Sequence, residues 1–102
     1  MKEVKILVMP GGEQVCGKIV NENPAVTVES DYVHLEDPRL VGITFEGVIQ
    51  FALYPTGIDR EKTTVLKIHR DNIVTMADPD PEFEKEYIEG TSGLILWLNT
   101  YT

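Results

Sequence analysis

Cysteine, histidine and long apolar runs are all scarce in this chain of 102 residues. A single cysteine, Cys16, excludes an internal disulfide framework and fits a reducing compartment, so we expect a cytoplasmic protein in which Cys16 is a packing residue. The two histidines, His34 and His69, are too few for the ligand spacings of a zinc site. The apolar run over residues 94–98 is far shorter than a membrane helix requires, so we expect no membrane segment.

Recognisable enzyme motifs are also missing. The sequence contains no phosphate-binding loop, dinucleotide-binding fingerprint or nucleophile elbow. Its many carboxylates crowd turns and one helical segment, where solvation by water accounts for them. These absences predict a protein that is not an enzyme and that uses no cofactor and no metal.

Positive charge is the third scarce feature, because 17 acidic residues face 9 basic ones and leave a net charge of −8. Many of the acids lie in residues 78–90, beside the single base Lys85, so the rest of the chain is closer to balance. An acidic chain is a poor general binder of phosphate backbones. Any nucleic-acid binding would therefore be confined to a locally positive site and would depend steeply on salt.

Alternating apolar residues predict two short β-strands in the first part of the chain. The first begins at about Val4 and ends before a turn at Pro10-Gly11-Gly12, where we expect glycine at positive φ. The second covers residues 15–20. Gly17 within it has no side chain to pack, which indicates a bend or a close backbone approach.

The middle of the chain is less regular. A turn over residues 21–24 precedes extended patterns over residues 25–29 and 32–35. Charged residues and a proline at 36–39 predict an interruption. Residues 40–53 form either one or two further strands or a looser covering segment.

The other strands are organised around residues 66–76, in which two apolar runs flank Arg70-Asp71-Asn72. Asp and Asn are favoured where a strand reverses, so this stretch predicts a β-hairpin. A hairpin alone is marginal in water, and other strands must cover its apolar face. Five or six short strands separated by turns predict a mainly β fold, a small barrel over residues 1–78.

An acidic helix is predicted after the last strand, over residues 79–90. Asp80 can cap this helix, Pro81 suits its first position and Gly90 suits its end. Its apolar stripe consists of Phe83, Tyr87 and Ile88. The tail, residues 91–102, is too apolar to stay in water, so it packs either on the barrel or on a neighbouring subunit.

Two segments resemble the motifs of a known family. Residues 7–19 look like the first Sm motif, and residues 68–76 look like the second, whose core is an apolar residue followed by Arg-Gly-Asn. The matching positions of the first motif are Gly12, Val15, Gly17 and Ile19. The chain thus resembles the Sm-like proteins, and in particular the short acidic members encoded by tailed phages.

The resemblance implies a small, strongly bent, five-stranded antiparallel Sm-like barrel with a short C-terminal helix. In this family the strands on either side of the second motif form opposite edges of the sheet, and these edges pair between subunits. The closed homo-oligomeric ring that results holds six or seven copies. The chain departs from the family in three ways. It has no room for an N-terminal helix, and Asp71 replaces the family's glycine. The family's Asp-x-x-x-Asn loop has no clean match, although Asn21 and Asn23 lie where that loop should be.

The resemblance also implies a site for single-stranded RNA in loops that line the pore of the ring. Relatives hold RNA bases there by stacking and by hydrogen bonds from Asn and Arg. The residues implied to lie nearest the RNA are Arg70, Asn72, His69, Asn21, Asn23 and Lys67.

Simpler roles for these residues stay open at the level of sequence. Arg70-Asp71-Asn72 can be a solvated turn, His69 a surface residue beside it, and Lys67 a charge that keeps a sheet edge soluble. The alternative function is a non-enzymatic structural or protein-interaction module that docks a partner protein through the acidic helix and the tail. A nucleic-acid mimic, supported by charge alone, is a third hypothesis.

Overall fold

The computed structural model describes residues 3–20 and 31–91, which form an antiparallel β-sheet and one α-helix. The strands are β1 (Glu3–Val8), β2 (Gln14–Ile19), β3 (Tyr32–Ile43), β4 (Ile49–Leu53), β5 (Val65–His69) and β6 (Thr75–Ala77); a one-turn 3-10 helix, η1, covers Arg70–Asn72, and helix α1 covers Pro81–Thr91. The mainly β class and the C-terminal helix are confirmed. Within the described residues the sheet differs from the expected barrel, because it has six strands rather than five and is not closed.

The order of strands across the sheet is β4-β3-β2-β1-β6. Strand β5 lies outside this order and pairs with β3. Strand β3 changes partner along its length: residues 32–36 pair with β5, whereas residues 39–43 pair with β4. The change falls at Asp37, whose φ of 51° lies in the left-handed region that Asp tolerates better than most residues. The predicted interruption at residues 36–39 is therefore a bend within one continuous strand.

The glycine predictions for the first two strands are confirmed. Gly12 has a φ of 89° in the turn after β1. At Gly17 the register between β2 and β3 shifts, and a Cβ built there would bring three side-chain carbons of Leu35 within 2.9 Å. Only glycine allows Leu35 to lie this close to the backbone of β2.

Alternate residues of β1 and β2 contribute to two separate cores, one on each face of the sheet. The main core contains Leu7, Met9, Val15, Ile19, Val33, Leu35 and Ile68. The second core lies under α1 and contains Val4, Cys16 and Tyr87, with Val41, Phe51 and Phe83 packed against it. A sheet that buries both faces over part of its area explains why apolar residues of its first two strands lie on both faces.

Helix α1 begins as predicted, because the Asp80 carboxylate accepts a hydrogen bond from the Phe83 backbone N–H at 2.8 Å. Phe83 and Tyr87 stack edge-to-face on Phe51, with ring centroids 5.4 and 5.8 Å away. The predicted place of Ile88 in the apolar stripe is wrong, since its side chain is 47% exposed. The helix thus docks on β4 through two aromatic rings one turn apart.

The predicted hairpin around Arg70-Asp71-Asn72 is wrong in its pairing. Strands β5 and β6 do not pair with each other, because β5 pairs with β3 and β6 pairs with β1. The connection is the 3-10 turn η1 rather than a hairpin loop. The two strands instead lie at opposite sides of the sheet, which is the arrangement that the family resemblance implies.

The ambiguous residues 40–53 are strands: the end of β3 and the whole of β4 form a hairpin. Its turn is closed by the Gly47 N–H, which donates to the Thr44 carbonyl at 3.0 Å, and Gly47 has a φ of 82°. The predicted turn over 21–24, the extended segment over 25–29 and the tail from residue 92 onward lie outside the described residues.

Candidate nucleic-acid interface

His69 is the last residue of β5 and also caps η1. Its Nδ1 accepts a hydrogen bond from the Asp71 backbone N–H at 3.1 Å. The His69 ring contacts Tyr32 edge-on, with centroids 5.2 Å apart and planes inclined by 78°. The capping bond and the ring contact together fix the orientation of the imidazole.

Four side chains form a polar row on the face of β3 and β5 opposite the main core. The row consists of Tyr32, His34, Lys67 and His69. The register pairs Tyr32 with His69 and His34 with Lys67, while the intervening residues of both strands point into the main core. Aromatic rings beside a cation are suited to stacking on bases and to contacting phosphate.

Three further side chains extend this row at η1. Arg70, Asp71 and Asn72 are all exposed. The Arg70 backbone N–H donates to the Asp31 carbonyl at 2.8 Å, so the turn is held against the start of β3. A fixed turn with an exposed guanidinium and an exposed amide offers several hydrogen-bond donors to a ligand at little cost in backbone ordering.

Charge at this end of the sheet is nearly balanced. The Asp71 carboxylate lies 3.7 Å from His69 Nδ1 and is 91% exposed, and Asp31 lies beside Arg70. Among the described residues of the region, the cations are Lys67 and Arg70. The arrangement can hold a base by stacking and hydrogen bonding, but it lacks the excess of positive charge that a phosphate-driven binder uses.

The structure brings Lys67, His69, Arg70 and Asn72 together along β5 and η1. The predicted contributors Asn21 and Asn23 lie outside the described residues. Sequence reasoning missed Tyr32 and His34 as members of the row, because their place depends on the register between β3 and β5. The alternation of polar and apolar residues over 32–35 indicates which face of the strand Tyr32 and His34 occupy, but it does not indicate which residues of another strand lie beside them.

Other chemistry finds little support in the described part of the chain. No group of three or more metal-ligating side chains occurs within residues 3–20 and 31–91. Cys16 is fully buried, and burial raises the pKa of its thiol to about 12, so it is inert at neutral pH. No helix within the same residues has the length and apolar character that crossing a bilayer requires.

Comparison of the chain with models of protein families and with curated proteins found no match. The Sm-like assignment therefore stays a prediction that depends on the two sequence motifs.

Proposed function

We propose that the chain is an Sm-like subunit that assembles into a ring and binds single-stranded RNA, without enzymatic activity. The observation that supports this most is the polar row beside η1, in which a fixed His69–Tyr32 ring pair adjoins the exposed Arg70 and Asn72. Splayed bases are recognised by side chains of these kinds, through stacking and hydrogen bonds.

Ring assembly is supported by the two edges that η1 connects. Within the described residues, β5 pairs only with β3 and β6 pairs only with β1, so each has one edge without a partner. Such edges recruit further strands, and pairing β5 of one copy with β6 of the next satisfies all of them if the ring closes. The proposal is a closed ring of six or seven copies with a small bent sheet in each.

The mass in solution tests the assembly. Light scattering should give six or seven times the 11.5 kDa subunit mass. Met76→Pro, in the exposed strand β6, removes a backbone N–H donor and places a pyrrolidine group in this edge strand. The variant should therefore form a smaller oligomer. A monomeric wild-type chain would contradict the ring.

RNA binding is tested by anisotropy titrations with short U-rich and A-rich RNA at low salt. Arg70→Gln removes a charged hydrogen-bond donor, which is worth about 1.5 kcal/mol and hence about tenfold in affinity. Lys85→Gln, on the exposed side of α1, makes the same change in net charge and should leave the affinity unchanged. Absence of binding by an intact ring, or an equal loss in both variants, would remove the RNA proposal.

A second candidate is a protein-interaction module, and the β3–β4 hairpin favours it. Ile43, Phe45 and Val48 are exposed at the end of this hairpin, with Phe45 fully so. Exposed apolar residues grouped in this way are typical of a protein contact, and the net charge of −8 favours a basic partner. A partner that is retained after nuclease treatment and lost from Phe45→Ser would favour this function over RNA binding.

A further inference from the structure

A groove at the bend of β3 is separate from the polar row. It lies between residues 36–39 of β3 and residues 58–64 of the connection to β5, and its volume is about 480 Å³. Its walls include two arginines, Arg39 and Arg60, and two threonines, Thr63 and Thr64. Neither arginine belongs to the residues assigned above to RNA.

Arg39 is unusual because its charge is buried with incomplete hydrogen bonding. The residue is only 4% exposed, and its Nη1 donates to the Pro38 carbonyl at 2.9 Å. Its Nη2 is fully buried and has no hydrogen-bond partner among the described residues. A buried guanidinium with an unused donor is costly, and such groups are normally completed by an anion or an acceptor.

Among the described residues, no carboxylate accepts a hydrogen bond from Arg39 Nη2. The carboxylate of its neighbour Asp37 lies 3.4 Å from Lys18 Nζ, and the Asp37 carbonyl accepts a hydrogen bond from the Tyr87 hydroxyl at 2.7 Å. The pKa of Arg39 is lowered, first by burial and then by the positive charge of Arg60. Tyr87 and Asp37 oppose this shift more weakly. An anion between the two guanidinium groups would oppose it as well.

We propose that this groove binds a small oxyanion, a carboxylate or phosphate group, between Arg39 and Arg60. Guanidinium groups match such oxygens in a bidentate geometry. Thr63 and Thr64 line the groove on the same segment as Arg60, and their hydroxyls are additional donors. Glu36, Asp37 and Glu61 also line the groove, so it accepts a group of low charge and repels a polyanion. The site does not depend on ring assembly or on RNA binding.

Amide chemical shifts of the full chain test the proposal, with inorganic phosphate and acetate titrated separately at constant pH and ionic strength. Sodium chloride serves as the reference salt. Saturable shifts confined to the groove segments, residues 36–39 and 58–64, are expected with at least one anion. Saturation by phosphate alone identifies a phosphoryl site, and saturation by acetate identifies a carboxylate site. No saturable shift with either anion overturns the proposal.

Two variants and one control decide whether Arg39 and Arg60 are responsible for anion binding in the groove. Arg60→Gln, at an exposed position, should weaken the apparent affinity about tenfold or more. Lys85→Gln makes the same change in net charge on α1 and should bind as the wild type does. Arg39→Met should abolish saturation; if it does not fold, Arg60→Gln alone decides. Equal weakening by Arg60→Gln and Lys85→Gln would mean general ion attraction and would refute the site.

Discussion

At the scale of single residues, Gly17 and Asp37 set the curvature of the sheet by different means. Gly17 lets β2 approach the Leu35 side chain, and Asp37 adopts a left-handed backbone where β3 changes partner. The two positions are linked, because Lys18 beside Gly17 forms an ion pair with Asp37. The bend thus depends on a missing side chain in one strand and on backbone tolerance in the next.

Gly17→Ala should destabilise the fold by about 1–3 kcal/mol, since the new methyl group would overlap Leu35 in a filled core. Urea denaturation measures the change in the free energy of unfolding. Gly42→Ala in β3 is a matched control, because a Cβ there meets nothing within 4 Å. Similar losses in the two variants would contradict the close approach as the reason for glycine at position 17.

Cys16 gives a prediction for alkaline pH. Its pKa is about 12 in the folded chain and 9.0 when unperturbed, so between these values the unfolded chain binds fewer protons. The free energy of unfolding should be unaffected by this thiol below pH 9 and should fall as pH rises from about 9 to 12, by at most about 1.4 kcal/mol per pH unit. Burial also raises the pKa of Tyr87, which acts in the same direction.

Urea denaturation at several pH values between 8 and 11 measures this slope in wild type and in Cys16→Ala. The variant loses some packing at every pH, so the slope rather than the absolute stability is compared. The slope should be shallower in the variant. Equal slopes would show that Cys16 ionises as readily in the folded chain as in the unfolded one.

At the scale of elements, α1 connects the second core to the bend. Phe83 and Tyr87 pack on Phe51 of β4, and the Tyr87 hydroxyl donates to the Asp37 carbonyl. An 11-residue helix is marginal alone, so these contacts are needed to hold it. The helix in turn covers Cys16 and the outer side of β2.

Asp80→Ala should lower the free energy of unfolding by about 1 kcal/mol, because the Phe83 N–H loses its acceptor at the start of α1. Asp80→Asn keeps a side-chain oxygen at the cap and should lose much less. Denaturant titration of both variants separates the capping bond from the charge. A loss in Asp80→Asn as large as that in Asp80→Ala would assign the effect to the helix dipole instead.

The elements that could be predicted from the sequence are those whose formation is determined by residues close together in the chain. Asp80-Pro81 marks the helix start and Gly12 marks the turn after β1, and both are found. The continuity of β3 through Asp37 could not be predicted, because it depends on two partner strands distant in the chain. The same reason applies to Arg70-Asp71-Asn72, since its turn chemistry suits a hairpin and a 3-10 turn equally.

In the candidate sites, too, the features that depend on contacts between distant parts of the chain could not be predicted from the sequence. The resemblance to the second Sm motif implies a role for Lys67, His69, Arg70 and Asn72, because they lie in or directly beside that motif. The polar row also needs Tyr32, which reaches His69 only through the register of β3 with β5. The groove at Arg39 could not be predicted, because nothing local indicates that this particular arginine is buried.

At the scale of the whole molecule, charge opposes the proposed RNA function. Each copy carries −8, and the proposed ring would multiply the repulsion between RNA and protein. The polar row can act only over short range, through stacking worth about 1–3 kcal/mol per base and through a few hydrogen bonds. Affinity should therefore respond strongly to a single charge placed beside Arg70.

Asp71→Asn tests how far charge repulsion offsets the stacking and hydrogen bonds of the polar row. The Asp71 side chain is 91% exposed, and the bond that orders η1 uses its backbone N–H, so the substitution removes a charge without removing that bond. RNA affinity at low salt should rise by about threefold to tenfold, which corresponds to about 0.7–1.4 kcal/mol. Anisotropy titrations at two salt concentrations measure the change, and the gain should shrink at the higher salt. A gain that is independent of salt would mean that Asp71 acts through the shape of η1, and no gain at all would separate RNA from this end of the sheet.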